Sequence, residues 1–267
     1  MLRFTINNFR CMIGQKTHGV DLGGGMILEK LKTGVIKKNM DIDISHISIN
    51  KYADYWKGYK AVKDNLNKGK FNINLGGDHS IAICTIQPLL EKYKEDLLVV
   101  WIDAHAGLNT FNSSLTKNTH DVPMGTLSGM MDHWYPENKR KHILYPENLI
   151  YMGLRDVDDF ERKLIKEKGI SNFPNYTSEL IERIKYHPAK HIHIRCDIDS
   201  IDPLLMPSTG NPVPMGLTLN NVINIINLTK TRLVSFDLVE FNPLIGNRRE
   251  LNTTLANINK ILRHVLG

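Results

Sequence analysis

The sequence predicts an α/β domain built on a parallel sheet, and three observations carry that prediction. Strand-like and helix-like segments alternate along all 267 residues, the arrangement that parallel strands with helical crossovers require. Several strand-like runs are apolar throughout, the clearest being LLVVWI at residues 97–102, as in strands covered on both faces. No internal repeat or low-complexity linker divides the chain.

In chain order, a short apolar run at residues 10–14 precedes Gly23-Gly24-Gly25, which leads into a helix at 26–31. Residues 41–44 alternate like a short strand. Residues 49–66 have helical periodicity, with Tyr52, Tyr55, Trp56, Tyr59, Val62 and Leu66 near one face. FNINL (71–75) reads as a strand, and 81–93 as a helix in which Pro88 predicts a kink or a break. After LLVVWI comes a polar loop at 108–123, too long for an ordinary connection and so expected to be functional. Residues 124–131 read as a helix, NLIYMGL (148–154) as a strand and 157–168 as a helix. A short helix at 178–185 and the strand HIHIRC (191–196) follow. A second long loop with four prolines spans 197–216. Residues 217–228 read as helix, RLVSFDLV (232–239) as strand and 250–266 as the closing helix.

Composition narrows the function classes. With 42% hydrophobic and 23% charged residues the chain has ample material for a full core. The net charge of +6 is spread along the sequence. Its one dense cluster, Lys139-Arg140-Lys141, lies between Pro136 and Pro146 and reads as a solvated loop. No nucleic-acid module is apparent. Cys11, Cys84 and Cys196 fall in or beside apolar runs without disulfide or metal spacing, as buried thiols in a reducing compartment do. The N-terminus lacks the apolar core of a signal peptide, and no run approaches a membrane span. A soluble, cytoplasmic protein is expected.

The candidate chemistry sits just past four apolar runs. FNINL is followed by Asp78-His79, LLVVWI by Asp103-Ala104-His105, HIHIRC by Asp197-Ile198-Asp199, and the run ending at Val239 by Glu240. Parallel strands bring their carboxyl ends to one edge, where open α/β sheets bind ligands, so these groups converge. Carboxylates and imidazoles without thiolates suit Mn²⁺, Mg²⁺, Zn²⁺ or Fe²⁺, and the carboxylate excess favours the harder ions. Five donors are too many for one tetrahedral site and suit a two-metal cluster that activates a water for hydrolysis. Taken singly, His120 reads equally as a loop histidine, Glu240 as a cap and Asp158 as the cap of the helix beginning beside it. His191 and His193 read as sheet histidines, Asp202 as turn chemistry and Asp237 as a hydrogen-bonding group behind the site.

GGDHS at 76–80, DAH at 103–105, GLRDVD at 153–158, DIDSIDP at 197–203, TGNPVPMGLT at 209–218 and DLVEFNP at 237–243 resemble the signature blocks of the arginase/agmatinase ureohydrolase family, in family order. GLRDVD and VEFNP lean toward arginase. The resemblance implies one three-layer α/β/α ureohydrolase domain over residues 1–267, with a central, mostly parallel sheet. It implies hydrolysis of L-arginine to L-ornithine and urea by a metal-activated hydroxide. It further implies two Mn²⁺ sites held by His79, Asp103, His105, Asp197 and Asp199, with Glu240 on the substrate guanidinium and His120 moving protons. Asn109, Thr116 and Asn118 are implied near the substrate α-carboxylate, Asp158 near its α-amino group and Asn211 beside the guanidinium. The implied partners are a small guanidine substrate, neither nucleic acid nor membrane, and further copies of the chain in a trimer or hexamer.

One position departs from that pattern. The family motif runs Asp-Ala-His-x-Asp, and this chain has Gly107 where the last Asp normally binds the first metal with His79, Asp103 and Asp197. The second set, Asp103, His105, Asp197 and Asp199, is intact. Weaker binding of the first ion is therefore expected, and Gly107→Asp is expected to restore it unless the loop needs a glycine conformation. Histone deacetylases, which resemble arginases in fold, hydrolyse amides with one metal at a similar site, so a one-metal enzyme and an inactive relative acting by binding or oligomerisation are both consistent with the sequence. Asp121, where the family usually has Gly, is the other carboxylate expected to bear on the cluster.

Overall fold

Residues 3–37, 39–131 and 142–267 are described by the computed structural model, and the basic cluster at 139–141 lies outside them. The strands are β1 (Phe4–Cys11), β2 (Ile42–Ile49), β3 (Phe71–Leu75), β4 (Leu97–Ile102), β5 (Leu149–Met152), β6 (Ser171–Phe173), β7 (His191–Asp197) and β8 (Leu233–Val239). They form one sheet in the order β2-β1-β3-β8-β7-β4-β5-β6. Every pairing between them is parallel.

Helices cover both faces. They are α1 (Val20–Gly34), α2 (Tyr55–Asn67), α3 (Ala82–Tyr93), α4 (Pro123–Leu127), α5 (Asp159–Glu167), α6 (Ser178–Lys185), α7 (Leu219–Thr229) and α8 (Arg248–Leu266). In β4, Leu98, Val100 and Ile102 join the core shared with α1, α6, α7 and α8. Leu97, Val99 and Trp101 join the core shared with α2, α3, α4 and α5. That alternation makes the three-layer α/β/α architecture, because a strand's side chains point to opposite faces by turns. Among the described residues no helix is long and apolar enough to cross a membrane.

Several local expectations change: the helix expected over 49–66 begins only at Tyr55, because β2 runs to Ile49, and the one expected over 124–131 ends at Leu127. α1 already begins at Val20, and the glycine triplet lies inside it. A Cβ on Gly23 would stand 2.1 Å from the Phe241 carbonyl oxygen, and one on Gly24 2.5 Å from that of Leu75. These glycines let a helix press against strand ends; they do not start it. α3 runs unbroken through Pro88, with every residue from Ala82 to Leu90 buried. Tertiary packing there outweighs the missing hydrogen bond, which costs about 3 kcal/mol in an isolated helix. β1 extends through Asn7 and Asn8, which a hydrophobicity reading passes over. Asn7 Nδ2 donates to Asn72 at 3.0 Å and Asn74 at 2.8 Å, and Asn74 donates to Asp237 at 2.6 Å. These buried amides pair with one another, as buried polar groups must.

Candidate active site

Register explains why the site forms. Leu75, Leu238, Cys196 and Ile102 pair in one row across β3, β8, β7 and β4, four neighbouring strands. Everything just past that row meets at one edge: His79 after β3, Glu240 after β8, Asp197 and Asp199 at the end of β7, Asp103 and His105 after β4.

Among the described residues two groups have donors close enough to hold an ion: His79 with Asp103 and Asp197, and Asp103 with His105 and Asp199. In the first, His79 Nδ1 lies 3.3 Å from Asp103 Oδ2 and 3.6 Å from Asp197 Oδ2. In the second, His105 Nδ1 lies 3.5 Å from Asp103 Oδ1 and 3.0 Å from Asp199 Oδ2. Asp103 thus bridges the groups through its two oxygens. Each histidine has its other nitrogen on an acceptor, His79 Nε2 on the His120 carbonyl and His105 Nε2 on Asp156 at 3.4 Å. That arrangement turns Nδ1 toward the carboxylates and fixes the ring.

Protons compete with metal for these donors. Burial pulls the His105 imidazolium down, but its contacts with Asp103 and Asp199 outweigh burial and lift it to about 12. His79 is raised well above its ordinary value for the same reason, through Asp103 and Asp197. Burial and the neighbouring Asp197 and Asp103 charges push the Asp199 carboxyl well up. An ion taking these donors would have to displace such a proton, which would make its affinity rise with pH.

A pocket of about 600 Å³ opens above the second group, and His79, His105, Asn109, Thr116, His120, Asp158, Asp199, Asn211 and Glu240 all line it. Asp103 and Asp197 are wholly buried beneath. Asn118 is not among the lining residues, and its amide lies 3.5 Å from His120 Nε2. Glu240 has φ +67, a left-handed value that costs a non-glycine residue energy and often marks a functional position. Its carboxylate accepts from the His79 backbone N–H and from Gln15 Nε2, both at 2.7 Å. Burial, then the nearby Asp197, raises its pKa to about 7. Asp158 caps α5 by accepting from Glu161 N and also accepts from Asn109 Nδ2 at 2.7 Å, so its capping and pocket roles coexist. Arg155 donates to the carbonyls of Gly153, Asp199, Ser200, Val213 and Pro214, pinning the Asn211 loop beside the pocket.

The arginase family's sequence profile matches residues 12–267. The chain belongs to the arginase family. It is 34% identical over 220 residues to arginase from Schizosaccharomyces pombe, covering 77% of this chain and 68% of that protein. With arginase from Coccidioides immitis it shares 31% over 299 residues, covering 95% and 90%. Among solved structures, Entamoeba histolytica arginase in complex with L-ornithine superposes with a TM-score of 0.88 at 26% identity, covering 100% of this chain and 99% of that one.

For a member of a family with a two-metal centre, this site contains one unexpected group. Arg195, wholly buried on β7, puts Nη1 on Asp103 Oδ2 and Nη2 on Asp197 Oδ2, the latter at 2.9 Å. Those are the oxygens that face His79 in the first group. The guanidinium carbon sits 4.1 Å from the centre of the Trp101 ring, a cation–π contact that holds the group in place. Burial works against the Arg195 charge, yet Asp103 and Asp197 raise its pKa above an already high value. A dication in the first group would share both oxygens with this cation, and like charges at ion-pair range repel by several kcal/mol even at an effective dielectric of about 20. The second group meets Arg195 only through Asp103 Oδ2, and Asp103 Oδ1, His105 Nδ1 and Asp199 Oδ2 remain as donors that fit a divalent ion.

The other departures resolve locally. Gly107 has φ +61, and a Cβ there would lie 3.1 Å from Pro123 Cγ, so the glycine conformation that obstructs Gly107→Asp is present. Asp121 accepts from Ser114 and Thr116 and pairs with His120 Nε2 at 3.1 Å. It orients His120, occupies the Thr116 hydroxyl and does not complete the first group. Gln15, Asp156 and Glu161 are pocket or contact residues that the sequence reading did not single out. Arg195 carried the clearest signal, a charge inside a strand of a buried parallel sheet.

Proposed function

We propose that the protein hydrolyses the guanidino group of L-arginine to urea and L-ornithine, or of a closely related guanidine to urea and the corresponding amine, with Mn²⁺ as the favoured ion. The observation that carries this reading is the convergence of Asp103, His105 and Asp199 with Glu240 and His120 at one pocket. The L-ornithine in the Entamoeba relative supports the choice of substrate.

Asp103, His105 and Asp199 would hold a divalent ion, which would supply the Lewis acidity that lowers the pKa of a water toward neutral. The side chains do the rest. Glu240, fixed by Gln15 and the His79 N–H, accepts from the substrate guanidinium. His120, oriented by Asp121, delivers a proton to the departing amine. Asp158 and Asn109, joined to each other, read the amino-acid head group, with Asn118 beside His120 as a further amide for its carboxylate. Agmatine lacks a carboxylate and leaves part of that set unpaired, which costs affinity.

Urea release from L-arginine and from agmatine, measured across a Mn²⁺ titration, tests the reading. Faster turnover of L-arginine is expected; equal rates would refute the preference, and no urea at saturating Mn²⁺ would refute the activity. A second reading, an inactive relative that binds guanidines or amino acids, is favoured by Arg195 on the first group. It predicts calorimetric binding of L-ornithine with no urea release.

A further inference from the structure

We infer that Arg195 replaces one of the two metal ions, so that the site takes a single divalent ion, at Asp103, His105 and Asp199. Two independent observations support it. The Arg195 guanidinium spans Asp103 Oδ2 and Asp197 Oδ2, the carboxylate oxygens of the first group, and stacks on Trp101. Position 107, where a further carboxylate would join that group, is a glycine in a left-handed conformation against Pro123. A guanidinium on the first group and a glycine at 107 act in the same direction, since each lowers by one unit the negative charge that could hold a second ion.

The geometry explains how an arginine reaches this place. Arg195 and Asp197 are two residues apart on β7 and so share a face. Arg195 pairs with Trp101 across the β4–β7 ladder, and Asp103 lies two residues beyond Trp101. These four side chains meet through the guanidinium, which stacks on the Trp101 ring and reaches both carboxylates. The bidentate reach of a guanidinium lets one cation satisfy both carboxylates. His79 keeps its position at the edge of that pair, as a neighbour of the arginine and not as a metal ligand.

The inference rests on the second group's being a metal centre but not on arginine as the substrate, so a folded protein that binds one ion and releases no urea fails the proposed activity and leaves this inference standing. The test is metal counting on the intact protein: stripped of metal, titrated with MnCl₂, and read by elemental analysis and by electron paramagnetic resonance. One Mn²⁺ per chain is expected, with the six-line spectrum of an isolated ion. His79→Gln should keep that count with affinity within about threefold, whereas His105→Gln should lower affinity by 100-fold or more. Arg195→Met, which keeps length and packing while removing the charge, should let a second ion bind and bring in a spin-coupled signal. If that variant fails to fold, the wild-type count and His79→Gln still decide. Two ions bound by the wild-type protein, a coupled spectrum, or loss of the ion in His79→Gln would each overturn the inference. No ion at all in folded wild-type protein would overturn it together with the metal-centre reading.

Discussion

Asp103 belongs to two clusters made of the same kinds of donor. Toward β3 its Oδ2 faces His79 and shares a guanidinium with Asp197. Toward the pocket its Oδ1 faces His105, and Asp199 completes the set. Counted by residue type, each is one histidine and two aspartates at ligand spacing. They differ in what already neutralises them. Each pair of carboxylates faces an imidazole, but the inner pair also has a fixed cation built into the strand beside it. A donor set therefore does not define a metal site by itself. The charge that the rest of the fold has already placed there decides how much attraction is left for an ion.

The most disruptive way to break this contrast is to remove the inner cation. Arg195→Met should destabilise the metal-free protein by about 3–5 kcal/mol, because it leaves Asp103 and Asp197 buried and uncompensated. Added Mn²⁺ should recover part of that loss by mass action. Urea denaturation with and without the ion measures both, and an equal loss under the two conditions would contradict the idea that the guanidinium holds an ion's place.

Next in size is a change beside the outer group. Glu161 lines the pocket and accepts from the Leu108 backbone N–H at 2.7 Å, and burial raises its pKa from 4.5 to about 7. A carboxyl that holds its proton more tightly when folded loses stability as pH rises from its unfolded value, near 4.5, to its folded one, and the full loss remains above 7. Glu161→Gln keeps the acceptor oxygen and cannot ionise. It should gain about 1–3 kcal/mol over the wild type above pH 7 and nothing near pH 4. Melting curves across that range check it, and a gain that does not vary with pH points to repacking instead.

Gly107→Asp sharpens the comparison with the smallest expected effect. The left-handed φ of +61 and the 3.1 Å approach to Pro123 predict a stability loss of about 1–2 kcal/mol. With Arg195 still in place, the added carboxylate should not raise the ion count above one. Metal analysis of this variant beside Gly107→Asp combined with Arg195→Met separates the two changes, and a second ion in the single variant would show the missing carboxylate to be the whole obstacle.

Much of this could be read along the chain. LLVVWI was bounded as the strand it is, because a strand buried on both faces has no polar alternation to blur its ends. β6 could not be read that way: Ser171–Phe173 is three residues, mostly polar, and owes its strand geometry to pairing with β5. The donors His79, Asp103, His105, Asp197, Asp199 and Glu240 were legible because each follows an apolar run, and parallel strands deliver their ends to one edge. Gln15 on Glu240 was not legible, since 225 residues separate them and nothing local in the sequence links them.

The sequence by itself determined the layer architecture, the edge at which the chemistry gathers and the types of donor found there, since all three follow from short-range periodicity and from what stands at the end of each run. It also placed Arg195 on the same strand face as Asp197, two residues away. Only the tertiary structure decided that this guanidinium also reaches Asp103, because that contact depends on the register between β4 and β7 and on Trp101 standing opposite Arg195. Register is fixed by packing on both faces of the sheet together, and no single segment contains that information.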